Sequence, residues 1–197
     1  MNNMKKALRI AVILSAFLVL YSCNPVEDDS RSASMLLVDN LLGTDAQGKV
    51  GNFLQSDVVL SSGSIRADSA TATLRATTLD PDPLLGTSPY NDIVVTRYLV
   101  SFSRTDGRNV PGVDVPYPFE GSLSTVVKTG ATASVSFVIV REVAKMEPPL
   151  IRLVDIGAEQ VLTCTAKVEF YGRDTTNKTV KATGYLTIYF ANYADTN

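Results

Sequence analysis

The sequence VEFYGRDTTNKTVKATGYLTIYF, residues 168–190, carries the clearest signal of secondary structure in the chain. Its second half alternates two kinds of residue: Gly184, Leu186, Ile188 and Phe190 share one side, and Tyr185, Thr187 and Tyr189 share the other. A period of two is typical of a β-strand with one buried face and one face in solvent. The polar segment GRDTTNK separates this run from an earlier one. The sequence therefore predicts a hairpin between residues 162–171 and 180–190.

The same alternation recurs along the chain after residue 35. It is found in residues 70–77 and 132–139, while residues 93–102 (IVVTRYLVSF) are apolar on both faces, as in a central strand. The turn Lys128-Thr129-Gly130 predicts a second hairpin, between residues 123–127 and 133–140. Residues 36–42 fit either a first strand or a helical turn. Residues 142–146 fit a helix that ends before Pro148-Pro149.

These runs predict an all-β fold, an antiparallel β-sandwich of about seven to nine strands over residues 36–197. The final hairpin resembles the last two strands of immunoglobulin-like or fibronectin type III modules in bacterial surface proteins. The chain has no Trp, so it lacks the Cys…Trp…Cys core of true immunoglobulin domains, and the fibronectin-like comparison is closer. Such modules have about 100 residues, so the resemblance implies extra strands or long loops here.

The first residues have the parts of an export signal. Lys5, Lys6 and Arg9 make a basic start, and residues 10–21 (IAVILSAFLVLY) are apolar except for Ser15. This run fits the roughly 7–15 apolar residues of a signal peptide and is shorter than the ~20 that a transmembrane helix requires. A membrane-spanning anchor is the alternative, but no basic cluster follows the run to support it.

Leu20-Tyr21-Ser22-Cys23 resembles the lipobox of bacterial lipoproteins, in which an aliphatic residue, a tolerant position and a small residue precede Cys. Tyr21 is bulkier than the residue usual in that family. The resemblance implies lipidation of Cys23, cleavage before it and anchoring in the cell envelope. Asn24, in place of Asp, implies the outer membrane. Residues 1–22 are then a signal peptide, and residues 23–35 are a polar, flexible tether.

Removal of the leader makes the chain more acidic. The 18 Lys plus Arg and 20 Asp plus Glu give a net charge of −2, and loss of three basic residues leaves 15 against 20, or −5. No basic cluster indicates a nucleic-acid partner. Of the 2 cysteines, a lipidated Cys23 leaves Cys164 without a disulfide partner. The position of Cys164 in the alternating run VLTCTAKVEF predicts a small buried side chain.

The composition argues against an enzyme. The chain has no His, which removes the usual base of Ser and Cys nucleophiles and the commonest metal ligand. No CxxC, GxGxxG, phosphate-binding loop, GxSxG or HExxH motif occurs. We therefore predict no catalytic residues, no metal site and no cofactor, and we do not expect a small-molecule substrate.

One connection between strands has the composition of a binding loop. The segment SFSRTDGRNVPGVDVPYPFEG, residues 101–121, is rich in Pro and Gly, and Pro reduces the entropy that a loop loses when it is ordered. Tyr and Arg are enriched at interface hot spots. The predicted binding residues in this segment are Arg104, Asp106, Arg108, Asp114 and Tyr117. In the alternative, the loop only closes the sandwich, and Tyr117 and Phe119 pack as a plug.

Two further surfaces are candidates. Tyr185 and Tyr189 lie on the polar side of the last strand, where they could stack on a sugar or a partner, or form ordinary cross-strand pairs in solvent. Two acidic loops, LDPDPLL and RTDGRNVPGVD, suggest a calcium-binding site, but neither has the residue spacing of an EF-hand. The oxygen-bearing residues of those loops are Asp80, Asp82, Asp106, Asn109 and Asp114.

The sequence thus predicts a lipid-anchored cell-envelope protein whose β-sandwich binds another envelope protein through loops or an edge strand. The alternatives are a carbohydrate-binding surface adhesin and a calcium-stabilised surface domain. The absence of Trp weighs against the adhesin, because flat sugar platforms are built from large aromatic faces.

Overall fold

Strands dominate the structure, a computed structural model that describes residues 32–80, 88–156 and 160–193. Strands make up 58% of the structure and helices 7%, and the strands form two packed sheets. The predicted all-β sandwich is therefore confirmed. The strands of the described segments are β1 (Ser34–Thr44), β2 (Val50–Gly51), β3 (Phe53–Asp57), β4 (Asp68–Thr78), β5 (Ile93–Ser103), β6 (Phe119–Val127), β7 (Thr132–Val140), β8 (Leu162–Asp174) and β9 (Thr179–Ala191). Two short helices, α1 (Glu142–Lys145) and α2 (Arg152–Ile156), lie between β7 and β8. The predicted leader and Cys23 lie outside the described residues.

Two sheets pack against each other. One has the strand order β2-β1-β4-β7 and the other has the order β3-β9-β8-β5-β6. In the nomenclature of immunoglobulin-type sandwiches, β1, β4 and β7 correspond to strands A, B and E, and β5, β8 and β9 correspond to C, F and G. Paired strands are antiparallel except for β3 and β9, which run parallel. The nine strands of the described segments lie within the predicted range of seven to nine.

The core lies between the inner faces of the two sheets. Strand β8 buries four residues of its predicted inner side, Cys164, Ala166, Val168 and Phe170. Cys164 is 1% exposed, which confirms the predicted buried side chain, and burial raises the pKa of its thiol to about 12. Strand β5 has neighbours on both sides, β8 and β6, as predicted for a central strand.

Aromatic rings join the two sheets across the core. Phe137 of β7 meets Phe170 of β8 edge to face, with ring centroids 5.3 Å apart, and meets Tyr98 of β5 at 4.7 Å. Each such pair contributes about 0.5–1.5 kcal/mol beyond the area that it buries. The Tyr98 hydroxyl also forms a hydrogen bond with the backbone of Val138 in β7. Tyr98 therefore links the sheets on the side where β6 and β7 are the last strands.

The structure confirms one predicted hairpin and contradicts the other. Strands β8 and β9 pair antiparallel along nearly their whole length, as predicted. The hairpin predicted between residues 123–127 and 133–140 is wrong, because β6 pairs with β5 in one sheet and β7 pairs with β4 in the other. The segment Lys128-Thr129-Gly130 instead carries the chain from one sheet to the other. Its Thr129 N–H donates to the Asp92 carboxylate at 2.9 Å.

The structure also resolves two local ambiguities. Residues 36–42 belong to strand β1, and residues 142–145 form helix α1 as predicted. Strand β1 begins at Ser34, so it includes the last two residues of the predicted tether. Within the described segments, no helix is long and apolar enough to span a membrane.

Gly121 of β6 lies directly beneath the Tyr98 ring, and a Cβ at this position would be 2.3 Å from Cζ of that ring. Because the ring is also packed against Phe119 and Phe137, it has little room to move. Gly121→Ala is therefore expected to lower the free energy of unfolding by about 1–3 kcal/mol, measured by urea denaturation. Ser124→Ala, at an exposed position of the same strand, is the control with little expected effect. Equal stability of the two variants would contradict this packing.

Candidate functional site

The predicted binding residues fall in two regions of the five-stranded sheet. Arg104, Asp106, Arg108, Asp114 and Tyr117 lie in residues 104–118, the connection that we call the β5–β6 loop. Tyr185 and Tyr189 lie on the outer face of β9. Register pairs place Ser103, at the base of the loop, opposite Thr165 of β8 and place Thr165 opposite Thr187 of β9. Two strand spacings, about 10 Å, therefore separate Ser103 at the base of the loop from Thr187, which lies between the two tyrosines in β9.

Asp106 organises the first half of the β5–β6 loop. Its carboxylate accepts side-chain N–H groups of Arg104 at 3.1 and 2.5 Å and of Arg108 at 3.2 Å. The backbone N–H of Arg108 donates to Asp106 Oδ1 at 3.1 Å. The Asn109 side chain accepts the backbone N–H of Arg104 at 2.6 Å. Of the charged residues predicted from the sequence, Arg104, Asp106 and Arg108 are thus brought together and hold one another in place.

The pKa of the Asp106 carboxyl is lower than its ordinary value. Partial desolvation acts to raise this pKa, but the backbone N–H of Arg108 and the guanidinium groups of Arg104 and Arg108 together outweigh that effect. The carboxylate is therefore ionised at neutral pH. Because the folded-state pKa is lowered, the contacts of Asp106 are fully present above its ordinary pKa. They are lost as the pH falls through the lowered value.

A tight turn forms the second half of the loop. The N–H of Val110 donates to Asp114 Oδ2 at 3.1 Å, and the N–H of Asp114 donates to the Val110 carbonyl at 2.8 Å. Gly112 in this turn has a φ of 75°, and a Cβ there would lie 2.3 Å from Cζ of Tyr117. Glycine is required both by the positive φ and by the close approach of the ring. The Tyr117 ring therefore lies against the turn backbone.

The loop is anchored at its end and exposed at its tip. Val115 is 1% exposed and Phe119 is 7% exposed, so both belong to the core. Val110, Val113 and Tyr117 are instead 56%, 53% and 49% exposed. The plug considered for Tyr117 and Phe119 is therefore formed by Phe119 and not by Tyr117. Sequence reasoning missed Val110 and Val113, although an apolar pair around Pro-Gly (VPGV) was a signal that could have found them.

The two tyrosines of β9 have different surroundings. Tyr185 is 63% exposed. Tyr189 is half-buried and packs edge-on against Phe53 of β3, with ring centroids 5.8 Å apart. Four residues along a strand separate the two side chains by about 13 Å. This face therefore does not form one continuous aromatic platform, and its geometry adds no support to the adhesin alternative.

A polar network covers the outer face of the same sheet. Glu169 of β8 accepts hydrogen bonds from Lys181 and Lys167, the latter at 2.9 Å, and these bonds lower the pKa of its carboxyl. The Arg97 guanidinium lies over the Tyr171 ring, 4.2 Å from its centroid. Arg97 and Lys181 are the cross-strand neighbours of Tyr171, whereas Lys167 and Glu169 belong to the same strand, so these contacts stabilise this face both along and across its strands.

A second group of polar residues, which the sequence did not reveal, lies inside the sandwich. The side chains of Lys145 in α1 and Asp68 in β4 are both fully buried, with 2.9 Å between Nζ and Oδ2. Nζ also donates to the backbone carbonyl of Asp57 at 2.7 Å, and the Ser56 hydroxyl donates to Asp68 Oδ2 at 2.6 Å. Asp68 Oδ1 is buried and has no hydrogen-bond partner among the described residues. The Lys and the Asp are 77 positions apart and neither stands in a motif.

The loop contacts do not favour the calcium alternative. In the β5–β6 loop, oxygens of Asp106, Asn109 and Asp114 accept N–H groups of the loop itself. The described segments contain no group of three or more acidic, Cys or His residues that could hold a metal ion. Asp82 of the other acidic loop lies outside the described residues.

Asp106→Ala is expected to loosen the β5–β6 loop without unfolding the sandwich. Loss of the carboxylate releases Arg104 and Arg108, so trypsin should cleave after these residues several-fold faster at neutral pH. Peptide mapping over a digestion time course measures this effect. The thermal unfolding midpoint should be nearly unchanged, because the residue lies at the surface.

Asp45→Ala is the matched control for this experiment. Asp45 Oδ1 accepts the backbone N–H groups of Gln47 and Lys49 in another surface turn, at 3.1 and 2.8 Å. Its loss should leave cleavage after Arg108 unchanged. If Asp106→Ala and wild-type proteins were cleaved after Arg108 at the same rate, the order of the loop would not depend on Asp106.

Comparisons with known proteins yield no relative for the chain. No model of a protein family matches it. No curated protein matches it, and no solved structure does. The fold class therefore rests on the two-sheet topology, and the candidate site rests on the contacts of the β5–β6 loop.

Proposed function

We propose that the chain is a lipid-anchored cell-envelope protein whose β-sandwich binds another envelope protein through the β5–β6 loop. The observation that carries this proposal is the combination of an ordered loop backbone with three exposed apolar side chains, Val110, Val113 and Tyr117. Removing such side chains from water favours association. Loops held by a rigid scaffold are also where binding residues concentrate.

The order of the loop before binding favours a tight contact. Asp106 and Asp114 fix the backbone through hydrogen bonds within the loop. A loop that is already ordered avoids much of the cost of immobilisation, which is about 0.5–1.5 kcal/mol for each flexible side chain. The apolar tip would form the centre of the interface. Arg108, whose side chain is 67% exposed, would belong to its polar rim.

The loop lies at the opposite end of the sandwich from the start of strand β1. Ser32, the first described residue, forms a hydrogen bond with the Asp174 side chain, and Asp174 pairs with Ile93 at the start of β5. The loop follows Ser103, at the other end of that strand. The 11 residues of β5 span about 33–37 Å. A sandwich held from the Ser32 end would therefore present the β5–β6 loop on its far side.

Lipidation of Cys23 provides the anchor in this proposal. The basic and apolar leader and the resemblance of residues 20–23 to a lipobox support it. Two or more acyl chains hold a protein firmly at a membrane, whereas a single chain holds it only marginally. The eight or so residues between Cys23 and Ser32 reach at most about 26–29 Å. The sandwich would thus stay near the membrane with its binding loop facing away.

A photo-reactive amino acid at Val113 tests the binding loop in intact cells. The variant is expected to give one reproducible protein adduct upon illumination, identified by mass spectrometry. Leu79 is the matched control, because it is apolar and 54% exposed but lies at the opposite end of the sandwich, where its N–H donates to the Ala33 carbonyl. The same probe at Leu79 should give little of that adduct. Adding Asp106→Ala to the Val113 variant should lower the yield several-fold.

Other results of this experiment would count against the proposed function. Adducts of equal yield at Val113 and Leu79 would show contact without a specific surface. No protein adduct at Val113, with normal folding and export, would remove the loop as the binding site. An adduct with polysaccharide in place of protein would favour the adhesin alternative.

Cys23→Ser tests the anchor separately from the loop. Metabolic labelling with a clickable fatty acid should mark the wild-type protein and be lost in the variant, which should be released from the membrane fraction or keep its leader. Cys164→Ser is the control. It should remain labelled, because this variant keeps Cys23 and Cys164 itself is buried in the core. Undiminished labelling of Cys23→Ser would overturn the lipidation assignment.

A further inference from the structure

The buried contact between Lys145 and Asp68 places an amine beside a carboxyl group, the two groups that condense to an amide. Both side chains are inaccessible to solvent, with Nζ and Oδ2 2.9 Å apart. A carbon–oxygen bond is about 1.2 Å long, so Asp68 Cγ lies within about 4.1 Å of the amine nitrogen. Reacting groups that approach to about 3–3.5 Å in the right orientation have effective molarities of about 10⁵–10⁸ M, and a small shift of either side chain would bring Nζ and Cγ to that separation.

We propose that Lys145 and Asp68 become joined by an intramolecular amide, an isopeptide bond between Nζ and Cγ. A proton first passes from the ammonium to Oδ2, which leaves a neutral amine beside a neutral carboxylic acid. The nitrogen lone pair attacks Cγ and forms the C–N bond. A second proton then moves from nitrogen to Oδ2, the C–Oδ2 bond breaks and Oδ2 leaves as water. The ammonium and the carboxylate are converted to one amide and one water, with no oxidant and no other co-reactant.

The surroundings of the pair favour this sequence of steps. The Ser56 hydroxyl donates to Asp68 Oδ2 at 2.6 Å, so a hydrogen-bond donor already lies on the oxygen that leaves. The Asp57 carbonyl accepts from Nζ at 2.7 Å and holds the amine in place. Oδ1 has no partner among the described residues and becomes the amide oxygen. Burial raises the pKa of Asp68 against the opposing effect of Lys145, which favours the neutral acid required in the first step.

Burial also supplies a driving force. Two ions in a site without water carry a desolvation penalty that their attraction offsets only in part. The amide is neutral, and the water formed is released to solvent, so the reaction removes both buried charges. The Lys167–Glu169 pair has the same 2.9 Å separation and a Glu side chain only 8% exposed, but its Lys side chain is 40% exposed. Because that ammonium stays in contact with water, the driving force for its removal is much smaller.

The bond would link β4 covalently to α1, two elements that are distant in sequence. Asp68 begins β4 of the four-stranded sheet, and Lys145 ends α1, which follows β7. Asp57, whose carbonyl positions the amine, ends β3 of the other sheet. A covalent link across 77 residues would restrict the unfolded chain as a disulfide does. Cys164 is a free cysteine and provides no disulfide for that purpose.

Peptide mapping of the full-length protein tests the proposal directly. The protein is purified from cells, denatured and digested with trypsin. The segment containing Asp68 should then be found joined to the segment containing Lys145, with a mass lower by one water than the two linear peptides together. Cleavage after Lys145 should be lost. Lys167 and Glu169 should give linear peptides only, which provides an internal control of the same separation.

Each outcome decides the question. Linear peptides at both pairs in folded protein would overturn the proposal and leave an ordinary buried ion pair. Cross-links at both pairs would also overturn it, because burial would then not select the reacting residues. Lys145→Arg should retain a positive charge but abolish the cross-linked peptide. In a pulse-chase that follows newly synthesised protein, Ser56→Ala should slow the appearance of the cross-linked peptide. Because the decisive measurement uses the wild-type chain, poor folding of a variant does not affect it.

Discussion

The two sheets bury their inner faces against each other, and this burial determines which side chains of every strand enter the core. A strand presents alternate side chains to opposite faces, so each strand of a two-layer fold buries one set and exposes the other. In β8 the buried set includes Val168 and Phe170, and in β9 it includes Ile188 and Phe190. Each fully buried large apolar side chain contributes about 1.5–3 kcal/mol. Stability therefore resides in the inner faces, and the outer faces and end loops are available for other roles.

The Lys145–Asp68 pair is a charged exception to this largely apolar interior, with both side chains fully buried. It lies where β3, β4 and α1 meet, and each of these elements supplies a polar atom to it. A buried ion pair is not explained by stability alone, because well-packed apolar residues in its place are often neutral or stabilising. Loss of one partner, however, leaves an uncompensated charge in the core. The pair therefore restricts what can replace either residue, and conversion to an amide would remove both charges while keeping the link.

The parts of the fold that could be predicted are those determined by neighbouring residues. The β8–β9 hairpin has a local turn, in which Asp174 Oδ1 accepts the N–H groups of Thr176 and Lys178. The segment Lys128-Thr129-Gly130 carries equally good local turn signals, yet it joins two different sheets. Its Thr129 is tied to Asp92, which is 37 positions away. Local turn residues indicate where the chain bends, but the sheet that the next strand joins depends on contacts distant in sequence.

The same distinction applies to the candidate site. Composition alone identified the β5–β6 loop and its charged residues, because Arg, Asp and Pro act through local hydrogen bonds and restricted dihedrals. Composition could not show which apolar residues of the loop enter the core. Val115 does and Val113, two positions earlier, does not. The difference arises because the turn closed by Asp114 directs Val113 outward while the chain returns to β6. Val110, Val113 and Tyr117 therefore stay at the surface of the loop, while Val115 and Phe119 enter the core.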